Sequence, residues 1–203
     1  MAEQVRGVGR PPVTSHEEIE TVAFALFRAH GFDETTMDDI ASAMGVGRST
    51  LFRYYPSKND ILWGRFDIGL RRLEEQLTAT PRDLPALAAI TQAVVEFNHF
   101  EPEAIPQHRE RMRLLLRTPA LQAHSVLRYQ QWRRVIAGFA ARRFGLEPDD
   151  GLPVAIGHVS LALSLAAYER WLDHPGTDLS RLLAESGDLL RQYVAPCPPS
   201  TQP

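Results

Sequence analysis

The chain has a single cysteine, Cys197, and it lies in the proline-rich end APCPPSTQP. One thiol cannot close an internal disulfide, so a cytoplasmic setting is expected. Residues 1–20 lack the apolar core of a secretory leader. The longest apolar run, Val159 to Tyr168, falls well short of the roughly 20 residues that span a bilayer, so no membrane partner is expected. Strand-like alternation is missing, and with it any strand-borne glycine loop for phosphate or any nucleophile elbow. The seven histidines, His16, His30, His99, His108, His124, His158 and His174, stand apart with no metal-ligand pair such as HExxH. They read better as capping and surface residues. No catalytic residue, metal site or cofactor is expected, and no internal repeat is visible.

What is present is concentrated between Thr36 and Lys58, TMDDIASAMGVGRSTLFRYYPSK. Thr36 can cap a helix, with Asp39 three positions on to complete a capping box. Ile40, Ala43 and Met44 fall on one face, and Gly45 ends the helix and lets the chain turn. A second short helix follows and stops at Pro56, with Leu51 and Tyr55 inward and Arg48, Ser49, Thr50, Arg53 and Tyr54 outward. Two short helices joined by a glycine-containing turn, the second rich in guanidinium, hydroxyl and phenol groups, suit a major-groove reader. Arg48, at the entering end, can make a bidentate contact to guanine worth about 1–3 kcal/mol of discrimination. Ser49 and Thr50 are small enough to let the helix approach. Tyr54 and Lys58 are expected to hold phosphates, which positions the reader without reading sequence, and Thr36 is a further candidate for a DNA contact.

A surplus of positive charge is also lacking. The formal net charge is −3, and the first sixty-five residues carry seven Lys/Arg against nine Asp/Glu. Non-specific DNA binding is dominated by cations neutralising phosphates, so the distribution matters. Glu17, Glu18 and Glu20 lie on the first helix and Asp38 and Asp39 at a helix start, while Arg48, Arg53 and Lys58 cluster on the reader. An acidic back and a basic face orient a protein on DNA and limit non-specific binding. The arm before it, with Arg6 and Arg10 among Gly7, Gly9, Pro11 and Pro12, is expected to be non-helical, and Arg10 is a candidate for a minor groove. A tail without a role is the alternative.

The first helix ending in FRAHGFDETTMDDIASAMGV and the segment GRSTLFRYYPSKNDIL resemble the DNA-binding domain of TetR-family transcriptional regulators. The flanking VGRPPVTSHEEIE and the run LFRYYPSKNDILWGRFD are closer still to the TetR-type regulators associated with mycofactocin biosynthesis. The family usually places a serine where Gly47 stands and a tyrosine where Phe52 stands, which removes one customary phosphate contact. The resemblance implies an all-α fold: a three-helix DNA-binding domain followed by a larger helical domain for ligand binding and dimerisation. It also implies a homodimer on a palindromic operator, with half-sites about 34–36 Å apart. Repression relieved by a small-molecule effector is the implied mode, with activation as the alternative.

The expected organisation is an arm over 1–13, a reader over 14–58, a helical body over 59–194 and a proline-rich tail over 195–203. Ser57 is expected to start one long helix carrying Leu62, Phe66, Leu70, Leu73 and Leu77 inward, and Pro119 a helix that runs to Phe144 and stops at Gly145. The last two helices are candidates for the dimer seam. The first of them is rich in small residues with Ile156, Val159 and Leu163 between, and the second carries Leu179, Leu182, Leu183 and Leu190 at helical spacing. An intramolecular core fits the same pattern. For the effector, Trp132 and Phe139 share an apolar arc with Arg128 at its edge, and Arg109 and Arg113 stand one turn apart. Aromatics beside arginines suit an anionic ligand with an apolar tail, and the narrower resemblance points to a fatty acyl-coenzyme A. The competing account is a core of aromatics and a solvated arginine face. An enzyme with reader-like helices, or an interaction module that has lost DNA binding, would be the other classes of function.

Overall fold

The computed structural model describes residues 14–194. The chain divides into two compact units, Met1–Gly64 and Arg65–Pro203. Arg10 and Cys197 lie outside the described residues.

The N-terminal unit contains α1 (His16–His30), α2 (Met37–Ala43), α3 (Arg48–Tyr54) and α4 (Lys58–Trp63). Ser15 starts α1 with a full capping box to Glu18, so two otherwise unpaired amides are satisfied. Ile19, Ala23, Phe24 and Phe27 form its buried stripe, and Phe27 and Phe32 meet at 5.0 Å between ring centroids. Thr36 caps α2 by the same device. Here the face differs from expectation: Ile40 and Ala41 are buried, whereas Ala43 is exposed, because α2 packs against both α1 and α3. Leu51 is fully buried and Tyr55 almost so, which locks α3 through its inner face.

The expected long helix from Ser57 is broken. Ser57 caps α4, but the helix ends at Gly64, whose φ of 50° and ψ of −124° suit only glycine. The next helix, α5 (Phe66–Ala79), starts afresh and buries Leu70, Leu73 and Leu77. Ile61, Leu62 and Trp63 are buried, and α4 packs on α1. The division of the chain therefore falls at Gly64, later than the boundary at 58 that the reader motif suggested.

The C-terminal unit continues with α6 (Ala86–Phe97), a 3-10 turn at Pro102–Ala104, α7 (Ile105–Arg117), α8 (Pro119–Phe144), α9 (Gly151–Asp173) and α10 (Leu179–Val194). Proline stands in the first turn of α7 and of α8, where a missing N–H costs nothing. Gly145 ends α8 in the left-handed region. The principal seam joins α8 to α9, and it depends on Gly157: a Cβ there would lie 2.9 Å from the Arg133 carbonyl oxygen. By length and composition α9 is apolar enough to cross a bilayer, with a mean hydropathy of 1.5, although its unbroken apolar run is short. Within this fold it packs along α8 and α10.

Candidate nucleic-acid interface and effector site

The reader is built from α2 and α3. Arg48, Ser49, Phe52 and Arg53 are exposed on α3 and Thr50 is half-buried, all carried on the anchor of Leu51 and Tyr55. Arg48 pairs with Asp38 of α2, Nε to Oδ1 at 3.1 Å, with both side chains largely in solvent. Its guanidinium also stands 5.3 Å from the centre of the Phe52 ring. Such an exposed pair is worth about 0.2–1 kcal/mol, so Arg48 can exchange Asp38 for a base edge at little cost. Gly47 is the N-cap of α3 and provides no side-chain cap. Where the family's serine would accept an amide, this chain leaves the helix start uncapped.

Three expected contacts have other partners. Lys58, the only lysine of the chain, donates from Nζ to the carbonyls of Phe32 at 2.7 Å, Asp33 at 2.9 Å and Thr35 at 3.0 Å. An ammonium has three hydrogens, and all three are spent on closing the loop after α1. The same ammonium lies 4.6 Å from the Phe32 ring centre. Lys58 is thus a staple of the fold. Tyr54 Oη donates to the Thr14 carbonyl, with the His16 ring edge-on to both Tyr54 and Tyr55 at 5.0 Å. Tyr54 has no hydrogen left for a phosphate. Thr36 spends its hydroxyl within its own cap, donating to Asp39 Oδ2 at 2.7 Å and accepting from the Asp39 amide at 3.1 Å. The Thr36 hydroxyl and, second, the Thr36 amide, which donates to the same Oδ2 at 2.8 Å, hold the Asp39 carboxyl below its ordinary pKa. Arg48, Ser49 and Arg53 stay exposed and Thr50 half-buried on the outer side of α3. Phe52, 37% exposed, sets an apolar ring on the same face where the family has a phenol.

The family comparisons agree with this geometry. Residues 19–62 match the family of bacterial regulatory proteins of the tetR type, and residues 84–195 match the MftR C-terminal domain. The chain belongs to the TetR family. It is a transcriptional regulator and not an enzyme, as its relatives are. Over 183 residues it is 42% identical to a Mycobacterium tuberculosis protein named as the mycofactocin biosynthesis transcriptional regulator MftR, spanning 90% of this chain and 92% of that one. It is 29% identical over 175 residues to the regulator TcmR of Streptomyces glaucescens, covering 83% and 77% of the two chains. The crystal structure of Thermus thermophilus FadR, a TetR-family repressor in complex with lauroyl-CoA, superposes with a TM-score of 0.55 at 25% identity. That match covers 91% of this chain and 99% of the other.

In this TetR-family chain the residues suggested for an effector have partners within the fold. Trp132 and Phe139 are buried core residues of α8. Arg113 is held by Glu110 one turn earlier. Arg128 pairs with Asp67 of α5 at 2.9 Å, with the Phe66 ring centre 5.9 Å away. The Arg109 guanidinium carbon stands 3.8 Å from the Trp171 ring centre, and Nη1 donates to the Trp171 carbonyl. Partial burial first, and Arg113 second, pull its pKa below the ordinary guanidinium value. The arginines are thus tied to carboxylates and to a carbonyl, because each helix that carries one packs against an acceptor on another element or on its own preceding turn.

The polar group that the fold does bury comes from residues far apart in sequence. Asn98, His108 and Tyr168 are linked by hydrogen bonds and each is at most 7% exposed. His108 therefore departs from the surface role expected of the histidines. Its place in the register of Met112 and Leu115 on α7 was the available signal. A second feature is a small open groove between α6, α9 and α10, lined by Leu87, Ile90, Val94, Leu163 and Leu183 among others.

The suggested dimer residues also separate. Leu179, Leu182 and Leu183 are buried inside the protomer, where α10 packs on α6 and α9, so they have no surface for a partner. Ile156, Leu163 and Leu190 are half-buried, and Val159 is exposed. The exposed stripe of α9 runs instead through Leu152, Ala155, Val159, Ala162 and Ala166, at steps of three and four, and Leu189 is exposed on α10.

Proposed function

We propose that this regulator is a repressor that binds a palindromic operator as a homodimer and is released by a small-molecule effector. The observation that carries the reading is the set of Arg48, Ser49, Thr50 and Arg53 exposed on a short helix whose inner face is locked by Leu51 and Tyr55. Arg48 reads a base edge and Arg53 neutralises a phosphate, while the α9 stripe, with Leu189 beside it, joins two protomers. A helix apolar on both sides fits this role, one side meeting α8 and α10 and the other a second copy. That assembly would act on DNA in the cytoplasm, away from any membrane. An acyl-coenzyme A is the effector class favoured here, supported by the lauroyl-CoA bound to the Thermus FadR. To leave the operator mostly free, the effector must favour the released conformation by several kcal/mol.

The test is fluorescence anisotropy of the purified protein on DNA from upstream of its own gene, with and without lauroyl-CoA. Saturable binding that resists competitor DNA, that Arg48→Ala makes indifferent to sequence and that lauroyl-CoA abolishes is the expected result. Binding that survives lauroyl-CoA would remove that effector, and binding unaltered by Arg48→Ala would remove the assigned reader.

A further inference from the structure

The C-terminal unit buries a hydrogen-bond chain whose direction can be followed atom by atom. Asn98 Nδ2 donates to the Val94 carbonyl at 2.7 Å, one helical turn back, which leaves Oδ1 as the amide's acceptor. Tyr168 Oη donates its only hydrogen to that Oδ1 at 2.6 Å. A phenol that has given away its hydrogen can only accept. His108 Nε2, 2.8 Å from the same oxygen, must therefore carry the imidazole hydrogen. The ring is held in one tautomer by a run of hydrogen bonds whose final acceptor is a backbone carbonyl.

The consequence is at the other ring nitrogen. His108 Nδ1 is a bare lone pair, and among the described residues no group lies in hydrogen-bonding reach of it. The side chain is 6% exposed, and the ring is stacked on Phe100 at 3.8 Å with an angle of 25° between planes. Trp171 flanks it at 5.9 Å. Burial first, and the charge of Arg111 second, keep the ring neutral by lowering its pKa to about 3. Protonation at Nδ1 is thus closed as a way to satisfy it. An unmatched buried acceptor destabilises the free protein, and a ligand that supplies a hydrogen there recovers that loss on binding.

We propose that the small molecule sensed by this unit places a hydroxyl or amide hydrogen on His108 Nδ1, so that the site selects ligands with a neutral donor over carboxylates. This rests on the effector-sensing reading above and specifies the chemistry of its site. Alcohols satisfy the requirement, and so do the hydroxyl and amide groups of a coenzyme A pantetheine arm. A fatty-acid carboxylate at neutral pH has only acceptors and sets lone pair against lone pair. The charge of Arg111 attracts an anion, yet an anion brought to Nδ1 has no hydrogen to give. Tyr168 acts as a positioning residue, since its hydroxyl decides which ring nitrogen is the acceptor.

The test titrates the full-length protein by calorimetry at neutral pH with 1-dodecanol, methyl dodecanoate, dodecanoate and lauroyl-CoA. The methyl ester matches the alcohol in chain length but lacks the donor. Dodecanol is expected to bind about tenfold more tightly than the ester, the worth of one hydrogen bond to a buried acceptor. His108→Phe, which keeps a ring against Phe100, is expected to bring that ratio close to one. Tyr168→Phe frees the tautomer, so Nδ1 can carry the hydrogen and dodecanoate gains on dodecanol. Nitrogen-15 shifts of His108 give a second reading on the unmutated protein: an Nε2–H tautomer whose Nδ1 signal moves with dodecanol and not with the ester. Equal affinity for alcohol and ester, or a ratio that His108→Phe leaves unchanged, overturns the proposal and leaves effector sensing standing. If lauroyl-CoA alone binds, an affinity indifferent to His108→Phe overturns it equally. Failure of all four probes to bind removes the acyl-coenzyme A reading of the effector and the proposal with it.

Discussion

Replacing Lys58 with methionine separates a staple of the fold from a phosphate ligand. Methionine keeps an apolar stem over Phe32 and removes three donors, those to the carbonyls of Phe32, Asp33 and Thr35. A hydrogen bond from a charged donor contributes about 1.5–3 kcal/mol net. The Asp33 contact is exposed and water replaces it, so the two part-buried carbonyls dominate. Loss of the ammonium above the Phe32 ring adds about 0.5–1 kcal/mol. Because the bonds share one donor they are not additive, and a total of about 2–4 kcal/mol is expected. For a chain of this length that lowers the melting temperature by about 4–16 °C, measured by circular dichroism. Operator affinity, measured well below the melting range against salt concentration, should keep its slope, because Nζ neutralises no phosphate. A phosphate ligand would behave in the opposite way. An unchanged melting temperature with a salt slope reduced by about 0.9 would refute the assignment.

Three further outcomes follow from the geometry. Ala162→Glu places a charge on the exposed α9 stripe and should give helical monomers in sedimentation, whereas Leu182→Glu buries a charge at a position 2% exposed and should unfold the C-terminal unit; a dimeric Ala162→Glu protein would place the seam elsewhere. Gly157→Ala forces a methyl against the Arg133 carbonyl and should cost about 1–3 kcal/mol in urea unfolding, with wild-type stability showing that the α8–α9 seam can spread. His108 titrates at about 3 when folded against an ordinary 6.5. Its folded pKa is the lower one, so its contribution is complete above about pH 6.5 and is lost as the pH falls from there towards 3. The slope approaches about 1.4 kcal/mol per pH unit, or about 2–3 kcal/mol by pH 4.5, and denaturant midpoints of His108→Phe should lack that fall.

The local devices were legible in the amino-acid order. The cap at Thr36, the turn at Gly45, the inward Leu51 and Tyr55 and the stops at Pro56 and Gly145 all act within a few residues of themselves, so spacing alone reveals them. The same locality explains why the reader motif and the family are visible in the sequence. Side chains with two plausible uses were not legible. Lys58, Tyr54 and Thr36 each have the chemistry of a phosphate ligand, but backbone carbonyls or a cap carboxylate stand closer than any surface can. The helix break at Gly64 was equally hidden, because a leucine stripe continues in register on both sides of it.

By itself, then, the sequence determined an all-helical chain with a helix-turn-helix reader and a helical body, because helix periods, caps and glycine stops are properties of neighbouring residues. Tertiary structure alone decided which face of α9 stays in solvent, that Leu179, Leu182 and Leu183 belong to the protomer core, and that Asn98, His108 and Tyr168 share one hydrogen-bond chain. Those outcomes depend on which helices meet and at what rotation. Periodicity records that a helix has an apolar side, and only packing says what that side touches.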